Sequence, residues 1–212
     1  MKYLSLLQLL VLLSINTVMA QQKVVAECTI SYAIAVDSNS TDISFAENLK
    51  SATKTVFIKG SNCRVDIVSK AFLQSIFYDK AKGGITILRE FGNNKFITKL
   101  DSAKWRNENM EFDSMTTIIT QETKKIIGYD CKKVVLELKN GTIYQVYFAQ
   151  ALVPSVKEFE YEFKSIPGLV LAYFVQSKDG KKINYTATKL NLSPVPASKF
   201  DIPVTGYRLL EK

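Results

Sequence analysis

The sequence predicts a mainly β protein built on a large curved antiparallel sheet, an incomplete β-barrel that one or two short helical segments cover. Three observations predict it. Apolar and polar residues alternate with period two over most of the chain, turn-forming residues interrupt the alternation at short intervals, and only two short stretches depart towards a helical pattern. A long sheet of this kind twists, and its concave face needs an apolar cover if it does not close.

The first twenty residues differ from the rest. They contain one early lysine, an apolar run at 4–13 and a small residue, Ala20, at the end. This pattern is typical of a secretory signal peptide that is cut after Ala20, and its apolar run is too short for a membrane span. We therefore expect a signal peptide at 1–20 and a single exported domain at 21–212. Retention as an N-terminal anchor is the alternative.

The first half of the mature chain predicts a meander of hairpins. Residues 24–36 alternate and run into a loop of Asp, Ser, Asn and Thr, and residues 44–52 begin with a capping box that favours a short helix. Three strand-length runs follow between 53 and 81. The turns "KGG" at 82–84 and "GNN" at 92–94 connect the next two strands as antiparallel hairpins.

The segment 101–115 breaks the alternation. Its polar residues alternate in clusters with four large or pliable apolar side chains, Trp105, Met110, Phe112 and Met115. We predict a loop with one or two helical turns that covers one face of the sheet. Two roles stay open at this point: a fixed cover over the core, or a mobile lid over a ligand.

The second half resumes the hairpins. The Asn140–Gly141 pair between two alternating runs is the strongest short hairpin signal in the chain. The stretch 153–168 contains two prolines and alternating acidic and aromatic residues, which indicates an excursion with little regular structure. An Asp-Gly turn then separates the runs at 169–177 and 183–193, and a proline-rich stretch closes the chain.

The run at 169–175 is apolar on both faces of its predicted strand, so we expect it to be covered on both sides. It fits an ordinary core strand or the wall of a ligand cavity. In the cavity interpretation, one face of this strand binds an apolar ligand together with the 101–115 segment. The predicted ligand-binding residues are Trp105, Met110, Phe112, Met115, Leu169, Leu171 and Tyr173.

The composition excludes several kinds of chemistry. The chain has no histidine, which removes His-based zinc sites and Ser-His-Asp or Cys-His catalysis, and it has neither a GxGxxG nor a GxSxG motif. Glu158, Glu160 and Glu162 alternate, and crowded carboxylates can bind a cation or raise one another's pKa, but no calcium-loop spacing accompanies them. We expect no metal, cofactor or catalytic residue. An enzyme would have to use Glu160, Tyr161 and Lys164.

The mature chain is basic. The full chain has 28 Lys and Arg against 20 Asp and Glu, and removing residues 1–20 takes away one lysine and no acid. The lysines lie mainly beside predicted turns, where they solvate strand ends and protect sheet edges. Transient attraction to an anionic membrane surface is the alternative. Export argues against nucleic acid as a partner.

Three cysteines, Cys28, Cys63 and Cys131, allow at most one disulfide in an oxidising compartment. Cys63 and Cys131 each open a predicted strand, so we predict that these two residues pair. Sequence alone does not fix the connectivity.

Four stretches carry a resemblance to a known family: "IIGYDCKKVVLEL", "NGTIYQVYFAQ", "SIPGLVLAYFV" and "ASKFDIPVTGYRLL". Their order resembles that of the exported bacterial GLPGLI-type proteins over residues 126–208. The eponymous motif is altered here to Ser165-Ile166-Pro167-Gly168-Leu169-Val170. That family is in turn similar to the LolA and LppX-like periplasmic lipoprotein carriers, in which an incomplete barrel closed by helices holds acyl chains.

The resemblance implies a LolA-like domain at 21–212, a periplasmic location and an apolar or lipid-like ligand, and it carries over no catalytic residue. The sequence therefore predicts a non-enzymatic periplasmic binding protein for such a ligand. The alternative is a structural or interaction protein of the bacterial cell envelope whose concave face is filled by its own side chains and which binds an envelope protein.

Overall fold

The structure is a computed structural model, and it describes residues 22–36, 49, 51–178, 180–203 and 205–211. The predicted signal peptide at 1–20 and most of the predicted helix at 44–52 lie outside the described residues. No helix within the described ranges is both long and apolar enough to cross a bilayer.

The protein is mostly β and its large sheet does not close into a barrel, which confirms the predicted fold class. The strands in chain order are β1 Lys23–Val25, β2 Glu27–Val36, β3 Thr53–Lys59, β4 Asn62–Val68, β5 Leu73–Asp79, β6 Gly84–Phe91, β7 Asn94–Asp101, β8 Thr116–Ile126, β9 Tyr129–Glu137, β10 Ile143–Ala149, β11 Leu152–Pro154, β12 Leu169–Gln176, β13 Lys182–Asn191 and β14 Arg208–Leu209.

The described strands of the large sheet follow the spatial order β14-β7-β6-β5-β4-β3-β2-β13-β12-β10-β9-β8. Two antiparallel meanders, β2 to β7 and β8 to β13, are joined where β13 pairs with β2. The sheet is mixed because β14 runs parallel to β7. A parallel neighbour needs a long connection, and here strands β8 to β13 lie between β7 and β14 in the chain. Strands β1 and β11 form a separate short parallel pair.

The 101–115 segment contains an α-helix, α1 at Ser102–Glu108, which confirms the helical prediction for this segment. Asp101 caps it, since its carboxylate accepts a hydrogen bond of 2.8 Å from the Lys104 amide. Trp105 of α1 packs on the cluster of Ile85, Ile87 and Leu100. Within the part of the chain that the structure describes, 3₁₀ turns lie at Met110–Ser114, Tyr161–Phe163 and Ala197–Phe200.

The stretch 155–168, which we call the plug, fills one face of the sheet. It is largely irregular, as predicted, and its large apolar side chains are buried. Val156 and Phe159 join the cluster built on β2, β3, β4 and β12, while Phe163 and Ile166 join the one built on β9, β10 and β12. The plug therefore connects the two main parts of the core. We call the face that it covers the inner face and the opposite one the outer face.

The Pro-Gly pair before β12 has a steric explanation. A Cβ on Gly168 would lie 2.4 Å from the Ala149 carbonyl oxygen and 2.8 Å from Cδ2 of Phe148. Only glycine therefore lets the chain leave the plug and enter β12 alongside β10. The following residues, 169–173, are all buried, which confirms for this part of the 169–175 run that both faces are covered, whereas Phe174 and Val175 are half-buried.

The predicted Cys63–Cys131 disulfide is not formed; Cys28, Cys63 and Cys131 are free thiols. Five strands separate β4 from β9 in the sheet, whereas a disulfide needs Cα atoms less than about 7 Å apart. All three thiols are buried, and burial raises the pKa of Cys28 to about 12 and that of Cys131 to about 11. Thiols in such surroundings are unreactive.

We expect Gly168→Ala to lower the free energy of unfolding by about 1–3 kcal/mol, because the added methyl group overlaps backbone and ring atoms that cannot move independently. Gly84→Ala is the matched control, since a Cβ there meets no atom within 4 Å; its effect should stay within about 0.5 kcal/mol. Urea unfolding of the two variants measures both. Equal stabilities would contradict the steric explanation.

Candidate functional site

A buried lysine lies at the centre of the inner face. Lys54 on β3 follows the same alternation as Val56 and Ile58, which are fully buried, so its side chain is carried inward and is only 3% exposed. Its ammonium group forms an ion pair with the carboxylate of Glu160 in the plug and donates a hydrogen bond of 2.9 Å to the Tyr173 hydroxyl. The sheet and the plug are thus joined by one buried charge pair.

Three tyrosines surround the Lys54 ammonium. Its Nζ lies 5.2 Å from the ring centre of Tyr32, 4.9 Å from that of Tyr173 and 5.5 Å from that of Tyr185. The rings of Tyr173 and Tyr185 are stacked at 4.4 Å. Cation–π attraction of this kind is stronger in a desolvated site than at a surface. The rings therefore help to hold a charge that has lost its water.

The protonation of this site is set by burial and by Glu160. Burial, the largest single effect, lowers the pKa of Lys54, but the attraction and hydrogen bond of Glu160 together with Tyr32 and Glu162 raise it by more, so the pKa of Lys54 is raised overall and the ammonium stays charged. Burial also raises the pKa of Tyr32 and Tyr173 well above the usual value. At neutral pH the site thus consists of a closed ion pair and neutral phenols.

Four further contacts fasten the plug on either side of Glu160. Glu158 pairs with Lys80 at 2.7 Å, and its carbonyl oxygen accepts a hydrogen bond of 3.3 Å from Trp105 Nε1. On the other side, Asp113 accepts a hydrogen bond of 2.9 Å from the Tyr161 hydroxyl and pairs with Lys164. The 101–115 segment therefore holds the plug from outside.

The three alternating acids of the plug do not converge on a cation site. Glu158 and Glu160 each have a lysine of their own, and no group of three or more His, Cys, Asp or Glu in the described residues is placed to hold a metal ion. Glu162 is half-buried. Burial and the nearby Glu160 carboxylate raise the pKa of Glu162 to about 7.

Aromatic rings form a continuous row from the 101–115 segment to the Lys54–Glu160 ion pair. Phe112 contacts Tyr144 at 6.3 Å, Tyr144 contacts Phe163 at 6.1 Å, and Phe163 contacts Tyr173 at 4.8 Å, all edge-on. Such edge-on pairs add about 0.5–1.5 kcal/mol each beyond the burial of their area. The row fixes the plug between the 101–115 segment and β12.

The predicted ligand-binding residues do not line one cavity. Leu169, Leu171 and Tyr173 are buried, Trp105, Phe112 and Met115 are half-buried, and Met110 is 61% exposed. The cavity between plug and sheet holds about 20 Å³, and Leu169 is the one predicted residue among its lining residues. That volume is about that of a single water molecule.

The sequence analysis assigns no role to Lys54, Tyr32 or Tyr185, which lie at the centre of the inner face. It also does not identify Glu160 as the partner of Lys54. One signal was available for Lys54. It stands in phase with Val56 and Ile58 in "TKTVFIKG", so the alternation places a lysine on the buried side of a strand. A buried lysine is almost always paired, so this pattern indicates a carboxylate partner elsewhere in the chain.

No family model and no curated protein matches this chain. Solved structures do. An uncharacterized conserved protein from Thermus thermophilus matches with a TM-score of 0.52 and 6% identity, over 89% of this chain and 91% of that one. PNGF-II matches with a TM-score of 0.51 and 14% identity over 88% of this chain.

The chain spans only 31% of the length of PNGF-II. A LolA superfamily protein from Nitrosomonas europaea matches with a TM-score of 0.37 and 11% identity, over 84% of this chain and 91% of that one, a likeness too low to carry an argument. At these identities the first two matches show a shared fold and nothing about activity.

We expect Lys54→Met to lower the free energy of unfolding by about 3–5 kcal/mol, because it leaves the Glu160 carboxylate buried without a partner. The double variant Lys54→Met with Glu160→Gln should recover most of this loss, since no charge then remains unpaired. The control is Lys80→Met, whose pair with Glu158 is exposed and contributes at most about 1 kcal/mol. Urea unfolding measures all three, and a double variant no more stable than Lys54→Met would contradict the charge explanation.

Because the pKa of Glu162 is raised by folding, the folded state holds its proton more tightly than the unfolded state does. Its contribution to stability is therefore greatest below the ordinary value of 4.5 and falls as pH rises to about 7. We expect Glu162→Gln to be more stable than the wild type at about pH 8 and similar at about pH 4, by urea unfolding across this window. Glu137→Gln, at an exposed position, is the control, and its free energy of unfolding should change with pH as that of the wild type does.

Proposed function

We propose that this protein is an exported, non-enzymatic binding protein of the bacterial envelope that binds its partner through its outer surface. The observation that carries the proposal is the filled inner face, where only about 20 Å³ is left between plug and sheet. Sites that take up a small molecule enclose about 300–1,000 Å³. A ligand on the inner face would have to displace the plug.

The displacement of the plug is opposed at three places. The Lys54–Glu160 pair, the Lys80–Glu158 pair and the contacts of Asp113 all have to break, and the buried rings of Phe159 and Phe163 have to leave the core. Fully burying one such apolar side chain stabilises by about 1.5–3 kcal/mol. These terms together favour a plug that stays in place.

The non-enzymatic part of the proposal rests on the chemistry of the same site. Lys54 and Glu160 neutralise each other, and the phenols of Tyr32 and Tyr173 are held in their neutral form, so none of these groups is free to act as a nucleophile or a general base. The exported location is supported by the signal-peptide pattern of residues 1–20, and an envelope partner is supported by the excess of lysine and arginine over acids.

A second candidate function, a carrier of an apolar ligand on the inner face, is favoured by one observation. The side chains that the plug sets against the sheet, Phe159 and Phe163, are themselves apolar and occupy the position that an acyl chain would take. In this function the plug is exchanged for the ligand.

The test compares wild-type protein with Phe163→Ala, which removes a ring from the plug and leaves a cavity on the inner face. Immobilised protein is exposed to an envelope extract at about 50 mM and about 500 mM salt, since screening weakens contacts to a basic surface. We expect the same partner with both proteins, retained at low salt and lost at high salt. A bound lipid that resists salt and increases in Phe163→Ala would contradict the proposal and support the carrier.

A further inference from the structure

The C-terminal stretch, residues 197–203 and 205–211, crosses the outer face of the sheet, and we call it the tail. Arg64 Nη1 donates a hydrogen bond of 2.8 Å to the Lys199 carbonyl oxygen, and the Tyr207 hydroxyl bonds to Glu90. At its far end β14 pairs with β7. The tail is thereby fixed at both ends over β4 to β7.

A groove of about 500 Å³ lies between the tail and strands β6 and β7. It is lined by Thr86, Ile97, Lys99, Ile202, Pro203, Tyr207 and Leu209. A second space of about 270 Å³ shares Thr86 and Ile202 with it and continues to Phe77 and Phe200. The outer face thus offers the room for a ligand that the inner face lacks.

The rim of this groove is apolar and exposed. Leu209 is 54% exposed and Ile202 is 38% exposed, and Leu210 follows on the same strand end. Exposed apolar side chains that gather around a concave site mark a surface that a ligand or partner covers. Covering these side chains removes their apolar area from water, which is the driving force for an apolar ligand.

A cation lies beside the apolar lining. Lys99 is exposed on β7, lines the groove, and takes part in none of the ion pairs between the described residues. The hydroxyl group of Thr86, its cross-strand neighbour, lies on the same face and can donate a hydrogen bond. One end of the groove is therefore complementary to an anionic group.

We propose that this groove binds an amphipathic anion, that is, an acyl or similarly long apolar chain that ends in a carboxylate or a phosphate. The chain lies against Ile97, Tyr207 and Leu209, and the anionic head contacts Lys99 and Thr86. The inference rests on the proposed function, because the groove lies on the outer surface to which that function assigns binding. It places that ligand on the face opposite to the one that the sequence predicts.

The first arm of the test varies the ligand. A fluorescent fatty acid is bound to the full mature protein and displaced by unlabelled fatty acids of increasing length, by the corresponding alcohols and by a lysophosphatidic acid. Each added methylene that becomes buried should strengthen binding up to about fourfold until the groove is full. Fatty acids should bind more tightly than alcohols of equal length, and the lysophosphatidic acid distinguishes a phosphate head from a carboxylate.

The second arm varies the groove. We expect Leu209→Glu to weaken fatty acid binding at least about tenfold, because it replaces an apolar wall with a charge that repels the head. Lys99→Gln should weaken the acids about threefold and leave the alcohols unchanged. Lys189→Gln, an exposed lysine on β13, is the matched control and should bind as the wild type does. Ile202→Ser is the second groove variant if Leu209→Glu fails to fold by circular dichroism.

The outcomes separate this inference from the proposed function. If none of the amphiphiles binds, or if binding is unaffected by Leu209→Glu and Ile202→Ser, the groove inference is overturned, while a salt-sensitive envelope partner would still support the proposed function. If amphiphile binding is unchanged in the groove variants but increases in Phe163→Ala, the ligand lies on the inner face. Both the inference and the proposed function are then overturned.

Discussion

The ion pair between Lys54 and Glu160 is the interaction on which the arrangement of the molecule depends. A lysine that β-strand alternation carries into the core must have a carboxylate, because an isolated buried charge is too costly to desolvate. That carboxylate comes from the plug, 106 residues further along the chain, so the position of one irregular segment is set by one strand residue. The ring stack of Tyr173 and Tyr185 and the row of rings that continues to Phe112 follow from that position.

A buried pair of this kind is weak evidence for stability, since apolar residues of similar volume often stabilise as well or better. In this protein the ion pair instead specifies the position of the plug on the sheet. The apolar residues of the plug would pack on an apolar face in several registers, but only one register brings Glu160 to Lys54 while Glu158 reaches Lys80 and Tyr161 reaches Asp113. Polar contacts select the register, and the hydrophobic effect supplies the burial.

Local patterns predicted the hairpins, α1 and the two-sided burial of 169–173, because strand alternation, turn chemistry and helix capping act over a few residues. The plug could not be predicted as a core element: its acidic and aromatic alternation resembles a solvated strand, and its partners are distant in sequence. The disulfide prediction failed for a related reason. Cys63 and Cys131 both open strands, but the pairing of β13 with β2 sets the order of strands between them, and no local pattern encodes that pairing.

An open sheet has two faces to protect, and this chain covers them unequally. The inner face receives the plug, a segment flanked on both sides by strands of the fold and fastened by charges, and it closes down to about 20 Å³. Among the described residues, the outer face of β4 to β7 receives the tail, which is tied at Arg64, at Glu90 and by two residues of β14. A cover attached at its ends can bridge a twisted sheet without following its curvature, and space remains beneath it. The unequal covers therefore explain why the accessible apolar groove lies on the outer face, while the more apolar inner face serves as the core.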